Sequence, residues 1–153
     1  MIAPYFTTGE GAPAPLRATV SGRVRFEEVD PLGIVWHGRY ASYFEDARVA
    51  LTDRYGIGYL DLFEKGVVAP IRKLHVDYFH SLRFRETFAV EAVLHWTEVP
   101  RLNMEFILRN EAREVTTTGY TVQMMLDADS NFLVLPPPFY REFLDRWRNG
   151  ALG

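Results

Sequence analysis

The residue types in this chain that could do chemistry are concentrated in Asp30-Pro31-Leu32-Gly33-Ile34-Val35-Trp36-His37-Gly38-Arg39-Tyr40. A carboxylate, Asp30, stands seven positions ahead of an imidazole, His37, which is followed at once by Gly38. A run of helical period begins at Arg39. Free backbone N–H groups at a helix start stabilise developing negative charge. A carboxylate facing them across a tight loop is the layout that attacks an acyl carbonyl or hydrates it. The same letters have plainer readings. Asp-Pro with a following Gly is a turn signal, and a His near a helix start often serves only as a structural hydrogen-bonder.

The elements that must position these residues follow from hydrophobic period. In residues 19–29, Val20, Val24 and Phe26 share one parity while Arg23, Arg25 and Glu27 take the other, which predicts a half-buried strand ending at the turn 30–33. Residues 39–55 switch to helical period, with Tyr40, Tyr43, Phe44, Ala47, Leu51 and Tyr55 in one stripe and Gly56 as the stop. Such a helix is about 25 Å long and crosses a small domain. Residues 59–65, closed by Gly66, predict a second, short helix. Period two then returns in four runs, around residues 73–78, 87–96, 101–109 and 117–126. Their separators are short, which favours antiparallel neighbours. Pro136-Pro137-Pro138 ends the sheet and opens a last helix carrying Tyr140, Phe143, Leu144 and Trp147.

This order predicts an α+β fold: one curved antiparallel sheet of about five strands wrapped around a long central helix. Residues 1–17 read as an irregular lead-in and residues 18–153 as a single domain. Val93 and Ile107 place apolar side chains on the far face of the sheet, where a second subunit is expected to cover them.

Composition narrows the function classes. The chain has 153 residues, 48% hydrophobic and 24% charged, which argues against disorder. A net charge of −3 argues against a nucleic-acid partner. The absence of cysteine excludes disulfides, thiolate metal sites and cysteine nucleophiles, and fits a cytoplasmic protein. No run approaches the roughly 20 apolar residues of a membrane span, and residues 1–6 lack a basic n-region, so neither membrane insertion nor a signal peptide is expected. His37, His75, His80 and His95 have no metal-ligand spacing, so no metal is expected.

The run D-P-L-G-I-V-W-H-G-R-Y followed by A-S-Y-F-E-D-A-R resembles the hotdog-fold acyl-CoA thioesterases of the 4-hydroxybenzoyl-CoA thioesterase type. Their pattern is D-x-x-G-x-V-x-[HY]-x-x-Y, then an aromatic, Glu and Ala-Arg on the central helix. Asp30, Gly33, Val35, His37, Tyr40, Phe44, Glu45, Ala47 and Arg48 fall on it. The resemblance runs to about residue 138 and leaves the lead-in and the last helix outside.

It implies hydrolysis of an acyl-CoA thioester to the free acid and coenzyme A, with no cofactor beyond the coenzyme A of the substrate. Asp30 would be the nucleophile or the general base. The His37 N–H would bind the thioester oxygen, with Gly33 and Gly38 shaping the loop, and the His37 ring would orient substrate or water. Tyr40, Glu45 and Arg48 would hold the helix to its neighbours. Arg72, Lys73 and Arg101 would meet the phosphates of coenzyme A, with Arg83 and Arg85 as further candidates. Arg83-Phe84-Arg85-Glu86-Thr87 stands where relatives often carry Gly-Asp, a departure from the pattern. A second branch of such enzymes puts its carboxylate on the helix nine positions after a His-Gly, where this chain has Asp46; it ranks below Asp30. A hydratase would need a closer Asp-to-His pairing on the helix, which is not found. A non-catalytic protein that binds an acyl group or an acyl carrier would keep the same pocket. The resemblance implies a homodimer or homotetramer whose sites draw on two chains.

Overall fold

The computed structural model describes residues 2–152. In chain order these form β1 (Leu16–Arg23), α1 (Tyr40–Arg54), α2 (Tyr59–Glu64), β2 (Ile71–Tyr78), β3 (Thr87–His95), β4 (Arg101–Asn110), β5 (Val115–Met124) and α3 (Pro138–Arg148). The strands make one five-stranded sheet in the order β1-β3-β4-β5-β2, antiparallel throughout.

Alternation drives the packing. Val90, Ala92 and Leu94 of β3 and Met104, Phe106 and Leu108 of β4 turn inward and are buried against the stripe Tyr43, Phe44, Ala47 and Leu51 of α1. The Phe44 ring stacks on Phe106 with centroids 4.6 Å apart. Gly119 of β5 makes room for it, since a Cβ there would lie 2.6 Å from the Phe44 ring and 2.5 Å from the His75 carbonyl oxygen.

Arg48 pins the helix to the sheet from inside. Its side chain is buried, and the guanidinium donates to Gln123 Oε1 at 2.5 Å, to Thr121 Oγ at 2.9 Å and to Glu45 Oε1 at 3.3 Å. Glu45 also accepts the Tyr59 hydroxyl at 2.9 Å, so α1, α2 and β5 share one network. A buried guanidinium needs this many partners, because any donor left unmade carries its full desolvation cost. Glu45 and Arg48 thus hold the helix, as the resemblance implied.

Two boundaries differ from the sequence reading. The first strand is Leu16–Arg23 and not 19–29, so residues 16 and 17 of the expected lead-in belong to the sheet. Leu16, Ala18 and Val20 extend the inward parity upstream and pair with Leu94, Ala92 and Val90. Downstream, the Arg25 N–H donates to Glu28 Oε1 at 2.8 Å and closes a 3-10 turn over Phe26–Glu28, leaving Phe26 exposed despite its matching parity.

The lead-in also has a fixed place. The Tyr5 hydroxyl donates to Asp77 Oδ2 at 2.5 Å and accepts from Thr118 Oγ at 2.6 Å, and its ring packs on Tyr120. The Phe6 ring lies 5.2 Å from that of His95. Part of the face expected to lie under a second subunit is therefore covered by the chain's own start. Hydrogen bonds from Tyr5 and His75 hold the Asp77 carboxyl below its usual range.

Candidate active site

The loop after the Phe26–Glu28 turn is a tight hairpin. Val29 and Val35 form a bridge, the Asp30 N–H donates to the Ile34 carbonyl at 2.8 Å and the Gly33 N–H returns to the Asp30 carbonyl at 2.9 Å. Gly33 sits at φ +78°, a left-handed conformation that closes the turn and favours glycine. Asp30 Oδ1 accepts the Leu32 N–H at 2.8 Å, which fixes one carboxylate oxygen. The returning arm is held from both sides: Val35 N–H donates to the Leu82 carbonyl and Trp36 N–H to the Glu28 carbonyl.

A single 3-10 turn, His37–Arg39, then leads into α1. Its first backbone bond is donated by Arg39 to the Trp36 carbonyl at 2.9 Å, so the N–H groups of His37 and Gly38 precede it. The Trp36 indole lies over the α-carbon of Gly38, and a Cβ at that position would run into the ring.

Loop and helix start line a cleft of about 390 Å³ with Asp30, Ile34, His37 and Tyr40; Tyr78, His80 and Ser81 line it from the end of β2 and the segment after it. The Tyr78 hydroxyl donates to the His37 carbonyl at 2.7 Å, and its ring meets Tyr40 edge-on at 5.3 Å. Loss of solvent raises the pKa of both phenols above its usual value, so both keep their protons at neutral pH. Sequence reasoning found the loop and helix start and missed the end of β2. Tyr78 shares the apolar parity of Leu74 and Val76, and nothing local links it to a residue 41 positions earlier.

Asp46 lies elsewhere. It is exposed on α1 and borders a separate depression with Glu28, Tyr43 and Phe88. The proposed phosphate-binding residues are also apart from the cleft within one chain. Arg72 and Tyr78 are near opposite ends of the eight-residue β2, about 20 Å apart at roughly 3.3 Å per residue. Arg101, paired with Met124, belongs to the Arg72 end of the sheet. The Arg72 guanidinium lies 5.1 Å from the Phe132 ring centroid, and Arg101 Nε donates to Asn103 Oδ1 at 3.1 Å. Of the further candidates, Arg83 bridges to Ile34 beside the loop. Arg85 packs its guanidinium on Phe84. Among the described residues, no group of three or more His, Cys, Asp or Glu side chains could hold a metal ion. No helix of the described residues is long and apolar enough to cross a membrane.

The profile of the thioesterase-like superfamily matches residues 24–146. This chain belongs to that superfamily. The match passes residue 138 and takes in most of α3, which the sequence resemblance had left outside. Bacillus subtilis YneP, named as a candidate acyl-CoA thioesterase, is 38% identical over 76 residues, 49% of this chain and 52% of YneP. The acyl-CoA thioester hydrolase YbgC of Escherichia coli O157:H7 is 26% identical over 69 residues, 45% of this chain and 52% of YbgC. The matched stretch thus spans about half the length of either relative. Among solved structures, the DHNA-CoA thioesterase of Staphylococcus aureus superposes with a TM-score of 0.76 at 26% identity, covering 87% of this chain and 91% of that one. The fold is the hotdog fold, a five-stranded antiparallel sheet around a long helix.

Proposed function

We propose that this protein hydrolyses acyl-CoA thioesters to the free acid and coenzyme A. The observation that carries the reading is the cleft in which the Asp30 carboxylate and the helix start at His37 meet. The superfamily match and the names of YneP and YbgC support it. In the general-base route, Asp30 takes a proton from water as the water oxygen attacks the thioester carbon. The resulting oxyanion is met by the N–H group of His37. Its collapse breaks the C–S bond, and the proton leaves with the coenzyme A thiolate. In the nucleophilic route Asp30 itself attacks, coenzyme A departs, and water cleaves the mixed anhydride. The His37 ring orients substrate or water at the mouth of the cleft.

The binding residues at the far end of β2 fit this reading through a second copy of the chain. β2 is an edge strand with Ile71 and Leu74 exposed and a free row of backbone groups. Antiparallel pairing of two β2 strands about their centres would bring Arg72 and Lys73 of one chain beside the partner's cleft. Arg101 would follow at the same end. A homodimer with two shared sites is the assembly we propose, in the cytoplasm, with the coenzyme A phosphates on this basic end.

The test is thiol release from a panel of short, long and aromatic acyl-CoAs. The chain has no cysteine, so a thiol reagent reports only the coenzyme A set free. Steady release from at least one member is expected. Tight binding without release would make this a non-catalytic acyl-binding protein.

A further inference from the structure

The outer face of the sheet carries a second cavity, of about 710 Å³ against about 390 Å³ for the Asp30 cleft, and the two share no lining residue. Its apolar lining is Ile2 and Pro4 from the chain's own start, Ile107 from β4 and Val115 from β5. Four polar side chains line it as well. His95 and Glu105 are only 6% and 4% exposed, with His95 Nε2 2.6 Å from Glu105 Oε1. The other oxygen of Glu105 accepts the Tyr5 N–H at 3.4 Å, so this carboxylate already has its partners. His95 Nδ1 does not: it is buried with no hydrogen-bond partner. A buried polar atom without a partner carries its desolvation cost, which a ligand atom can relieve. The remaining two are Arg17 and Arg109, both partly open to solvent. Their guanidinium groups share one carboxylate, Glu91, at 3.2 and 3.4 Å, and neither meets a second acid among the described residues. Two cations on one carboxylate leave one positive charge unmatched at this cavity.

We propose that this outer cavity is a binding site for a small monocarboxylate, its anionic head held by Arg17, Arg109 and His95 and its hydrocarbon body lying against Ile2, Pro4, Ile107 and Val115. The unmatched cation selects an anion, and a surplus of one selects a single charge. The apolar lining selects an organic body over an inorganic ion. A planar carboxylate fits the guanidinium fork, and an anion beside the imidazole favours the protonated ring, whose Nδ1–H then has an acceptor. The site is separate from the Asp30 cleft, so the assignment does not depend on the thioesterase reading. The free acids that such a reaction releases do have this chemistry.

Hexanoate is the probe, and hexanamide, neutral and of the same shape, is its control. In the full chain labelled with 15N-histidine, the imidazole nitrogens of His95 should shift saturably with hexanoate at constant pH and ionic strength. Hexanamide should need at least about 10-fold more ligand for the same shift, as expected for loss of charged hydrogen bonds. Arg17→Gln and Arg109→Gln should each raise the hexanoate Kd read at His95 by about 3- to 10-fold. His37 and His80 line the Asp30 cleft, so their nitrogens report acid bound there, and that response should be the same in wild type and variants. Shifts at His37 and His80 with His95 unmoved would confine acid binding to the cleft and overturn the assignment. So would a His95 that responds alike to hexanoate and hexanamide, or one that keeps its wild-type affinity in both arginine variants. Inorganic phosphate that displaces hexanoate at equal concentration would make this a general anion site and overturn the monocarboxylate class. If an arginine variant fails to fold, the contrast between hexanoate and hexanamide in the wild-type protein decides alone.

Discussion

Replacing Asp30 by Asn separates the charge of its side chain from its duties in the loop. The Leu32 N–H reaches Asp30 Oδ1 at 2.8 Å, and the amide oxygen of Asn can accept the same bond. The remaining turn contacts are backbone to backbone, through Ile34 and Gly33. The change in unfolding free energy should therefore stay below about 1 kcal/mol. Chemistry has no such substitute: Asn is neither a base nor a useful nucleophile. Loss of a positioned acid–base group lowers kcat by at least about 10²-fold, or about 2.7 kcal/mol on the barrier. The barrier term should thus exceed the stability term, and both can be read on one preparation by thiol release and thermal unfolding. Asp46→Asn is the comparison, since Asp46 is exposed on α1 and borders a different depression. It should keep kcat within about twofold. An active Asp30→Asn beside a folded but dead Asp46→Asn would transfer the reaction to the helix carboxylate. Activity in both would remove a carboxylate mechanism altogether.

Arg48→Met should destabilise the fold by about 3 kcal/mol in denaturant titrations, because it strands Gln123 and Thr121 without the buried guanidinium; a loss below about 1 kcal/mol would show that packing alone holds the helix. Arg72→Glu and Arg101→Glu should each raise KM for acyl-CoA with kcat less affected, and more strongly at low salt; an unchanged KM at low salt would remove that residue from the phosphate site. Burial and its bond to Asp77 raise the Tyr5 phenol to about 12 from an ordinary 10.0, so the protonated phenol's contribution is full below pH 10 and is lost as pH climbs from about 10 to 12. Tyr5→Phe should flatten that alkaline slope in unfolding midpoints taken from pH 9 to 12, and identical slopes would refute the contact.

Local order made much of this molecule legible. Period alone located α1 and the four later strands, because burial on one face imposes 3.6 on a helix and 2 on a strand. Asp30 and His37 were legible as a pair because one hairpin and one helix start bring them together within eight residues. What stayed hidden depends on contacts far apart in the chain. Tyr78 reaches His37 across 41 residues, and Tyr5 reaches Thr118 across 113, in each case through a hydroxyl on a side chain that pattern reads only as apolar or as lead-in. Phe26 shows the reverse error: its parity matched the strand, but the Glu28 bond to the Arg25 N–H had already turned the chain out of the sheet.

The same distinction bears on how two chains would meet. The outer face of the sheet was expected to need a partner because Val93 and Ile107 point there. Yet Val93 is only 1% exposed within a single chain, and Tyr5 and Phe6 lie over neighbouring positions on that face. β2 is different. It pairs with β5 on one side and leaves its other row of N–H and C=O groups open, with Leu74 51% exposed. A face partly covered offers a second copy less new apolar burial than an open edge, which offers both a hydrogen-bond ladder and apolar area. Edge pairing is also the arrangement that would bring the basic start of one β2 to the other chain's cleft. Burial and substrate binding therefore favour the same edge.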